Sequence, residues 1–377
     1  VDDGPTGPGH DNTTDLVFDI DVNALNDAPT GDVGEDETVN EDAGLQAVAL
    51  FLTNVDEGGG PDEDTQTVTW SVTNDNNALF ATQPSIDAAG TLTYTPADDA
   101  NGTAKVIVTR TDDGPTGPGH DNTTDLSFDI DVEAVNDRPS FELAANEVRL
   151  EDGEPASVAD FYTNEDEGGG PDEDGQTLTL TVSNDNNALF SVQPTIDASG
   201  TLTFTTAPDA NGSATVDVFL LDDGGTANGG ADTGTLSFEI IVGPLNDAPA
   251  GSLPASPDQS VDEDAGAQSV AGFLTDVGPG GGDDEAGQTV TVTVSNDNAS
   301  LFTAEPAIDG SGTLTYTPAA DANGSATVTV TLVDDGPTGA GDEYTTVLAF
   351  GIDVLAVNDQ PGFTMGADVT VDENSGT

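Results

Sequence analysis

The chain has 377 residues, of which 72 are acidic and only 4 are lysine or arginine, so its formal net charge is −68, and it has no cysteine. Four cations cannot form the basic surface that nucleic acids or anionic membranes require, and disulfides are excluded. No stretch approaches the roughly 18 consecutive apolar residues of a membrane-spanning helix. Acid–base catalysis usually needs a cation or an imidazole, and the chain has only two histidines, so we expect a protein that is not an enzyme.

The chain is a tandem array. The string Asn-Asp-x-Pro begins at residues 26, 136, 246 and 358, at intervals of 110, 110 and 112 residues. The spacing predicts three complete repeats, at 27–136, 137–246 and 247–358. Residues 1–26 correspond to the C-terminal part of a repeat and residues 359–377 to the N-terminal part of another. We therefore expect a window from a longer polypeptide with four joints between successive repeats.

Within the first complete repeat, apolar residues recur at every second position along residues 68–73, 92–95, 104–108 and 126–132. Side chains on a strand point alternately to opposite faces, so this period predicts half-buried strands. Asn-Gly pairs at 101–102, 211–212 and 323–324 indicate tight turns. About seven short strands in each repeat are typical of an antiparallel sandwich.

The acids concentrate in loops and near the joints, whereas threonine and serine occupy the outward strand positions. Carboxylates within a few ångströms of each other repel unless they are protonated or neutralised. Oxygen-only clusters without histidine or cysteine suit a hard cation with about six to eight ligands, namely Ca²⁺. A solvated acidic surface that serves hydration in brine remains an alternative, and the two do not exclude each other.

Several motifs resemble the cadherin repeat in their order, and more closely the cadherin-like repeats of large bacterial surface adhesins. They are Leu92-Thr93-Tyr94-Thr95-Pro96, Asp99-Ala100-Asn101-Gly102-Thr103, Asn54-Val55-Asp56-Glu57-Gly58, Thr111-Asp112-Asp113-Gly114-Pro115, Asn136-Asp137-Arg138-Pro139 and Val371-Asp372-Glu373-Asn374. The resemblance covers nearly the whole chain. It implies an all-β, linear tandem array of antiparallel immunoglobulin- or cadherin-like β-sandwich domains with Ca²⁺ at the joints.

The resemblance also implies which residues hold the calcium. At the first joint, ahead of the first complete repeat, they are Asn26, Asp27, Asn54, Asp56 and Asp112. At the second joint they are Glu41, Asp99, Asn136, Asp137, Asn164, Asp166 and Asp222. At the third joint they are Glu151, Asp209, Asn246, Asp247, Asp276 and Asp334. At the fourth joint they are Glu263, Asp321, Asn358 and Asp359.

Two acidic loops, Asp62–Asp64 and Asp172–Asp174, fall outside this set, and the sequence leaves open whether they form a second site or are simply solvated. The resulting hypothesis is an extracellular stalk or fibre whose repeats are stiffened by calcium. Its expected partners are calcium and the neighbouring repeats, with assembly of like chains left open. The rival hypotheses are a carbohydrate-binding array of a secreted enzyme and a halophilic envelope protein.

Overall fold

The computed structural model describes residues 3–5, 7–9, 15–339, 341–371 and 373, and it is all-β, with 45% of residues in strands and 3% in helices. His10, Asp372 and Asn374 lie outside the described residues. The chain divides into two compact units. The first comprises Val1–Glu142, Asn164–Thr181 and Phe219–Thr235, and the second comprises Leu143–Thr163, Val182–Val218 and Leu236–Thr377. The repeat boundaries expected from the sequence stay a prediction and serve below to name the first, second and third repeat.

Each repeat has nine strands among the described residues, two more than expected. In the first repeat they are β1 (Thr30–Val33), β2 (Glu37–Asn40), β3 (Gln46–Val48), β4 (Leu52–Asp56), β5 (Thr69–Asn74), β6 (Phe80–Ile86), β7 (Leu92–Pro96), β8 (Gly102–Thr111) and β9 (Thr123–Glu133). In the second they are β10 (Ser140–Leu143), β11 (Glu147–Leu150), β12 (Ala156–Val158), β13 (Tyr162–Asp166), β14 (Thr179–Asn184), β15 (Phe190–Ile196), β16 (Leu202–Thr206), β17 (Gly212–Leu221) and β18 (Thr233–Gly243).

In the third repeat the strands are β19 (Ala250–Ser252), β20 (Gln259–Asp262), β21 (Gln268–Val270), β22 (Thr275–Gly278), β23 (Thr291–Asn296), β24 (Phe302–Ile308), β25 (Leu314–Pro318), β26 (Gly324–Val333) and β27 (Thr345–Leu355). Single turns of 3₁₀ helix lie at Asn77–Leu79, Asn187–Leu189, Ala227–Gly229 and Ala299–Leu301. None of the helices in the described part of the chain has the length and apolar character needed to cross a bilayer.

Three sheets build the first repeat. Their strand orders are β2-β9-β8-β5, β3-β7-β6 and β1-β4, and the third repeat has the same arrangement in β20-β27-β26-β23, β21-β25-β24 and β19-β22. The predicted sandwich is therefore present, but it is not purely antiparallel, because β2 runs parallel to β9 and β20 runs parallel to β27. A parallel pair needs a long connection, and here almost the whole repeat separates the two strands.

The core of the first repeat follows the period of two. Val106 and Val108 of β8 and Ile130 of β9 have no exposed surface, and they pack in one cluster with Leu92 and Tyr94 of the smaller sheet. An edge-to-face aromatic pair recurs beside this cluster, with ring centroids 4.5 Å apart in Phe51–Phe128 and 4.6 Å apart in Phe273–Phe350. These four rings therefore belong to the cores of their repeats.

The Asn-Gly pairs do not form the tight hairpin turns that the sequence predicts. The turn lies earlier, at Asp98-Asp99, and Gly102 already begins β8. The connection joins β7 to β8, which belong to different sheets, so it crosses the sandwich instead of reversing within one sheet. Asp99 takes the left-handed backbone conformation of this turn, with φ 55°.

One buried cation interrupts the core of the first repeat. Arg110 of β8 is only 1% exposed, at the position where the other repeats place Leu220 and Leu332. Its Nε and Nη1 atoms have no hydrogen-bond partner. Burial lowers the pKa of its guanidinium, while the charge of Asp32 acts in the opposite direction. A buried donor without a partner costs about 1–3 kcal/mol.

We therefore predict that Arg110→Leu stabilises the first repeat by about 1–3 kcal/mol, because it removes unpaired donors from the core. Hydrogen exchange of the β8 amides measures the gain locally. Lys105→Leu on the exposed face of the same strand removes the same charge, and we expect its effect to stay within about 0.5 kcal/mol. Faster exchange in Arg110→Leu would contradict the prediction.

Candidate metal centre

Three aspartates meet at each of three joints. At the second joint Asp42, Asp99 and Asp137 each place one carboxylate oxygen within 4.8 Å of the others. The same three-carboxylate cluster recurs at the third joint as Asp152, Asp209 and Asp247, and at the fourth as Asp264, Asp321 and Asp359. In every cluster, two aspartates come from the preceding repeat and one comes from the linker that follows it.

Local backbone geometry aims the first two aspartates. Asp42 follows β2 with φ 59°, and Asp99 lies in the crossover turn with φ 55°. This left-handed conformation is unfavourable for most side chains, but aspartate tolerates it. The backbone N–H of Asp99 also donates to Oδ1 of Asp42 over 3.3 Å, which ties the two turns together. Asp42, Asp152 and Asp264 are not among the ligands predicted from the sequence, although each directly follows one.

A buried glutamate fastens the linker to the preceding repeat. Glu41 is 3% exposed. Its Oε1 accepts a hydrogen bond from Val135 N over 2.7 Å, and its Oε2 accepts one from Asn101 Nδ2 over 3.3 Å. Glu151 and Glu263 have the same two kinds of partner. Burial raises the pKa of Glu41, and the two hydrogen bonds lower it.

A second buried glutamate fastens the linker to the following repeat. Oε1 of Glu173 accepts a hydrogen bond from Asp137 N, and Glu63 and Glu285 accept from Asp27 N and Asp247 N in the same way. Glu63 and Glu173 lie in the two acidic loops whose role the sequence left open, and Glu285 lies in the corresponding loop of the third repeat. The linker asparagine next to each aspartate donates to a strand-end aspartate, as Asn136 does to Asp222 over 3.0 Å. The linker is therefore held from both sides.

The structure does not bring every predicted ligand to these clusters. Asn54 and Asn164 donate instead to Asp32 and Glu142, over 2.7 Å and 2.6 Å. Asp56, Asp166 and Asp276 accept hydrogen bonds close to their own positions, from Gly58 N, Gly168 N and Thr275 Oγ1. The remaining predicted residues lie in the clusters or in the contacts around the linkers, apart from Asn358, which donates to Asp359 O over 3.2 Å.

Some acids have a purely structural use. Asp75 Oδ1 accepts from Lys105 N over 2.8 Å, and Asp185 and Asp297 do the same with Thr215 N and Thr327 N. Asp87 caps its own turn by accepting from Ala89 N and Thr91 N. These carboxylates satisfy backbone donors away from the joints, so they do not indicate metal binding.

The linker aspartates of two clusters have strongly raised pKa values. The pKa of Asp137 is raised to about 6, chiefly by burial and then by a hydrogen bond with Asp99 and the charges of Asp42, Glu173 and Asp99. The pKa of Asp247 is raised to about 7 by burial and by its acidic neighbours. Without a cation, the folded chain therefore holds protons on these two groups at a higher pH than an ordinary aspartate would.

These shifts predict a pH dependence for the metal-free chain. The pKa of Asp247 is about 7 in the folded chain against an ordinary value of 3.8, so the folded state binds more protons in that window. Stability therefore falls as the pH rises from about 4 through 7. In EDTA, we expect a lower melting temperature at pH 8 than at pH 5. In the double variant Asp137→Asn/Asp247→Asn, the melting temperature should fall less steeply as the pH rises. Asp174→Asn, an exposed loop change, should keep the wild-type slope.

Glycines let the loop of the following repeat approach the joint. A Cβ atom on Gly170 would lie 2.2 Å from the carbonyl oxygen of Asp99, and one on Gly282 would lie 2.3 Å from that of Asp209. Gly60, the corresponding residue of the first repeat, faces only Asp62 Oδ1 at 3.1 Å. The third glycine of the loop is thus in van der Waals contact with the turn that carries a cluster aspartate.

We predict that Gly282→Ala disturbs the third joint, because the added methyl group overlaps a backbone oxygen that cannot rotate away. The melting temperature should fall, and limited proteolysis should cut near residue 247. Gly287→Ala is the matched control, since its Cβ would meet nothing within 4 Å, and Gly60→Ala should also be tolerated. Equal behaviour of Gly282→Ala and Gly287→Ala would show that this contact is not important.

Comparison with known proteins finds solved structures that are similar to this chain. No protein-family model matches the chain, and no curated protein matches it. It is similar to protocadherin gamma B2 extracellular cadherin domains 1–5, with 15% identity over 88% of this chain and a TM-score of 0.47; the chain spans 60% of that protein's length. It is also similar to mouse cadherin-23 EC22–24, with 14% identity, 88% of this chain, 100% of that chain and a TM-score of 0.43.

A third similar structure is Drosophila N-cadherin EC1–4, with 15% identity, 90% of this chain, 77% of that chain and a TM-score of 0.34. All three are structures of cadherin extracellular repeats, the kind of repeat that the motifs of this chain resemble. The bacterial adhesin origin stays a prediction.

Proposed function

We propose that the chain is a segment of an extracellular stalk or fibre in which Ca²⁺ at the joints fastens each repeat to the next. The observation that carries the proposal is the three-carboxylate cluster, which draws on a repeat and on the linker leaving it. Two oxygens that both bind one calcium ion at about 2.4 Å can be at most about 5 Å apart. The 4.8 Å limit within each cluster satisfies this condition.

The donor chemistry supports calcium over softer metals. The clusters contain carboxylates and no sulfur or imidazole, which favours a hard cation. In each cluster the pKa of the linker aspartate is raised, so three carboxylates this close together favour a proton or a cation between them. The chain cannot supply that charge itself, since it has 4 Lys+Arg against 72 Asp+Glu. Asp42, Asp99 and Asp137 would hold the ion at the second joint, and Glu41 would orient the linker beside it.

The mechanical consequence follows from where the ligands originate. Asp42 and Asp99 belong to the preceding repeat, and Asp137 is bonded through its own N–H to Glu173 of the following repeat. An ion bound by all three aspartates would restrict the linker that connects the repeats. Because calcium would bind the folded arrangement and hardly the unfolded chain, it would also stabilise the fold. The protein would then work as a spacer that is stiff only where calcium is present, as outside cells.

The test is a calcium titration at low salt, followed by thermal unfolding and small-angle scattering. We expect calcium to raise the melting temperature and to change the scattering profile, and EDTA to reverse both. Asp99→Asn should weaken the response, because it removes a cluster carboxylate, whereas Asp98→Asn changes the neighbouring exposed acid and should not.

A control in sodium chloride distinguishes calcium binding from an acidic surface that serves only hydration. If molar salt without calcium produces the same changes, the proposal is wrong and the halophilic interpretation is favoured. If the wild-type chain binds no calcium by calorimetry, the proposal also fails.

A further inference from the structure

One edge strand of the sandwich lacks the features that usually stop edge strands from pairing with other chains. Edge strands are normally very short, interrupted by proline or a bulge, or charged. In the first repeat β5 ends the four-stranded sheet β2-β9-β8-β5, and β23 ends the corresponding sheet of the third repeat. Both strands have six residues, and neither contains a proline or a charged residue.

The other sheet edges of the first repeat each have such a feature. β2, at the opposite end of the same sheet, has four residues and begins with Glu37. In the three-stranded sheet, β3 has only three residues, and β6 contains Pro84 and shifts register twice against β7. The two-stranded sheet of β1 and β4 contains Asp32 and Asp56. In the third repeat β24 likewise contains Pro306 and shifts register twice, so β23 is again the edge without protection.

The unprotected edge is also regular. The register of β5 against β8 is continuous from Thr69 to Asn74, and that of β23 against β26 is continuous from Thr291 to Asn296. In such a strand the backbone groups of alternate residues point away from the paired neighbour. They are therefore free to form a ladder with a further strand.

The charges of this sheet are arranged in the opposite way to those of a protected edge. The central strand β9 carries Asp125, Asp129 and Asp131, whereas the edge strand β5 carries no charge. Acids make up 72 of the 377 residues, yet β5, β23 and the corresponding strand β14 of the second repeat contain none. Two copies of a chain with a net charge of −68 repel each other, and at these edges they can approach without opposing carboxylates.

The inward side chains of the edge strand are only partly covered. Val72 lies directly opposite Val108, yet Val108 has no exposed surface and Val72 is half-buried. The same difference separates Val294 from Val330 in the third repeat. A further strand beside β5 would remove more of the apolar surface of Val72 from water, which favours its addition.

The edge sequence is complementary to a second copy of itself. Side chains directly opposite in a sheet share a face, so an antiparallel pair must match outward residues with outward residues. With a two-fold axis at Ser71, Thr69 lies opposite the second copy's Thr73, and Trp70 lies opposite its Val72. Hydroxyl groups then meet on the outer face and apolar groups on the inner face. The same pattern recurs as Thr179-Leu180-Thr181-Val182-Ser183 and Thr291-Val292-Thr293-Val294-Ser295.

We propose that β5, β14 and β23 are contact edges through which two copies of this chain associate, each edge pairing antiparallel with an edge of the other copy. The new hydrogen bonds continue the four-stranded sheet from one molecule into the next. One edge is a small contact, but each chain carries three, and contacts linked within one chain reinforce one another. The inference goes beyond the proposed function, because it concerns the sheet edges and needs no ion at the joints.

The test measures association of the full chain by sedimentation velocity in EDTA, over a range of protein and sodium chloride concentrations. We expect a monomer–dimer equilibrium that shifts toward the dimer as salt screens the net charge. The edge-glutamate variant places an acid at the exposed centre of each edge, as Ser71→Glu, Thr181→Glu and Thr293→Glu in one chain. Its dimer should be weaker by about 10-fold or more, because glutamates lie directly opposite each other at every paired edge.

The matched control adds the same charge to the same sheets away from the edge. It places glutamates at exposed positions of β9, β18 and β27, as Ser127→Glu, Ser237→Glu and Ala349→Glu in one chain. Its affinity should stay within about twofold of the wild type in screening salt. The melting temperature of each variant in EDTA shows whether the fold is kept.

Charge reversal tests the pairing itself. An edge-lysine variant, with Ser71→Lys, Thr181→Lys and Thr293→Lys, should form a dimer again when it is mixed with the edge-glutamate variant, because lysine then lies opposite glutamate. A variant with lysine at the three control positions should not restore the dimer in the same mixture.

Three outcomes would overturn the proposal. They are a wild-type chain that stays monomeric in molar salt, a dimer that the edge glutamates leave unchanged, and a dimer that the control glutamates weaken equally. The last result would indicate contact through the outer face of the sheet. Because all measurements are made in EDTA, a chain that binds no calcium would overturn the proposed function and leave the edge contact unaffected.

Discussion

Repulsion between carboxylates around a short linker is the constraint on which the joints depend. At the second joint Asp42, Asp99 and Asp137 share one small volume, and Glu41 and Glu173 are buried beside the same linker. Bringing such a group of acids together lowers the stability of the folded chain unless protons or a cation compensate the charge. The local structure does not relieve this repulsion, because aspartates in the left-handed backbone conformation and glycine-rich loops hold the acids together. Stability and rigidity of the joints are therefore expected to respond to cations more than those of the cores do.

The cores depend on a different interaction. Alternating Val, Ile and Leu side chains and an edge-to-face aromatic pair fill the sandwiches of the first and third repeats, and these contacts need no ion. The acids fall into two groups. Asp75, Asp185 and Asp297 accept hydrogen bonds from backbone N–H groups within a repeat. The cluster aspartates instead have other carboxylates as close neighbours. Removing cations is thus expected to loosen the joints before it unfolds the sandwiches.

The tandem repeat and the strands could be predicted from sequence because both are periodic signals. The period of two follows from strand geometry and identifies Val106, Val108 and Ile130 as core. The ligands were harder to predict, because they lie in loops, where spacing does not determine the direction of a side chain. The resemblance pointed to Asn164 and Asp166, yet Asn164 bonds to Glu142 and Asp166 caps its own loop.

A signal for the missed residues was nevertheless present within the chain. In the loop after the three glycines, the glutamate and the glutamine recur in all three repeats as Glu63 and Gln66, Glu173 and Gln176, and Glu285 and Gln288. The exposed position between them changes from Asp64 and Asp174 to Ala286. Residues that stay fixed while a neighbour varies between repeats are under a shared physical constraint, and here the constraint is the contact with the linker.

The loop between the two longest strands differs from repeat to repeat, and this makes the joints unequal. The linker N–H of Asn26 donates to His120 Nδ1 over 2.9 Å, and that of Asn246 donates to Asp342 Oδ1 over 3.1 Å. The second repeat has Gly230 at this position, and its loop instead places Asn228 against the first repeat, donating to Glu133 over 3.3 Å and accepting from Asn40 over 3.0 Å. The carboxylates are the common part of the joints, and this loop adds hydrogen bonds that differ from one joint to the next. We therefore expect joints of different stiffness within one array.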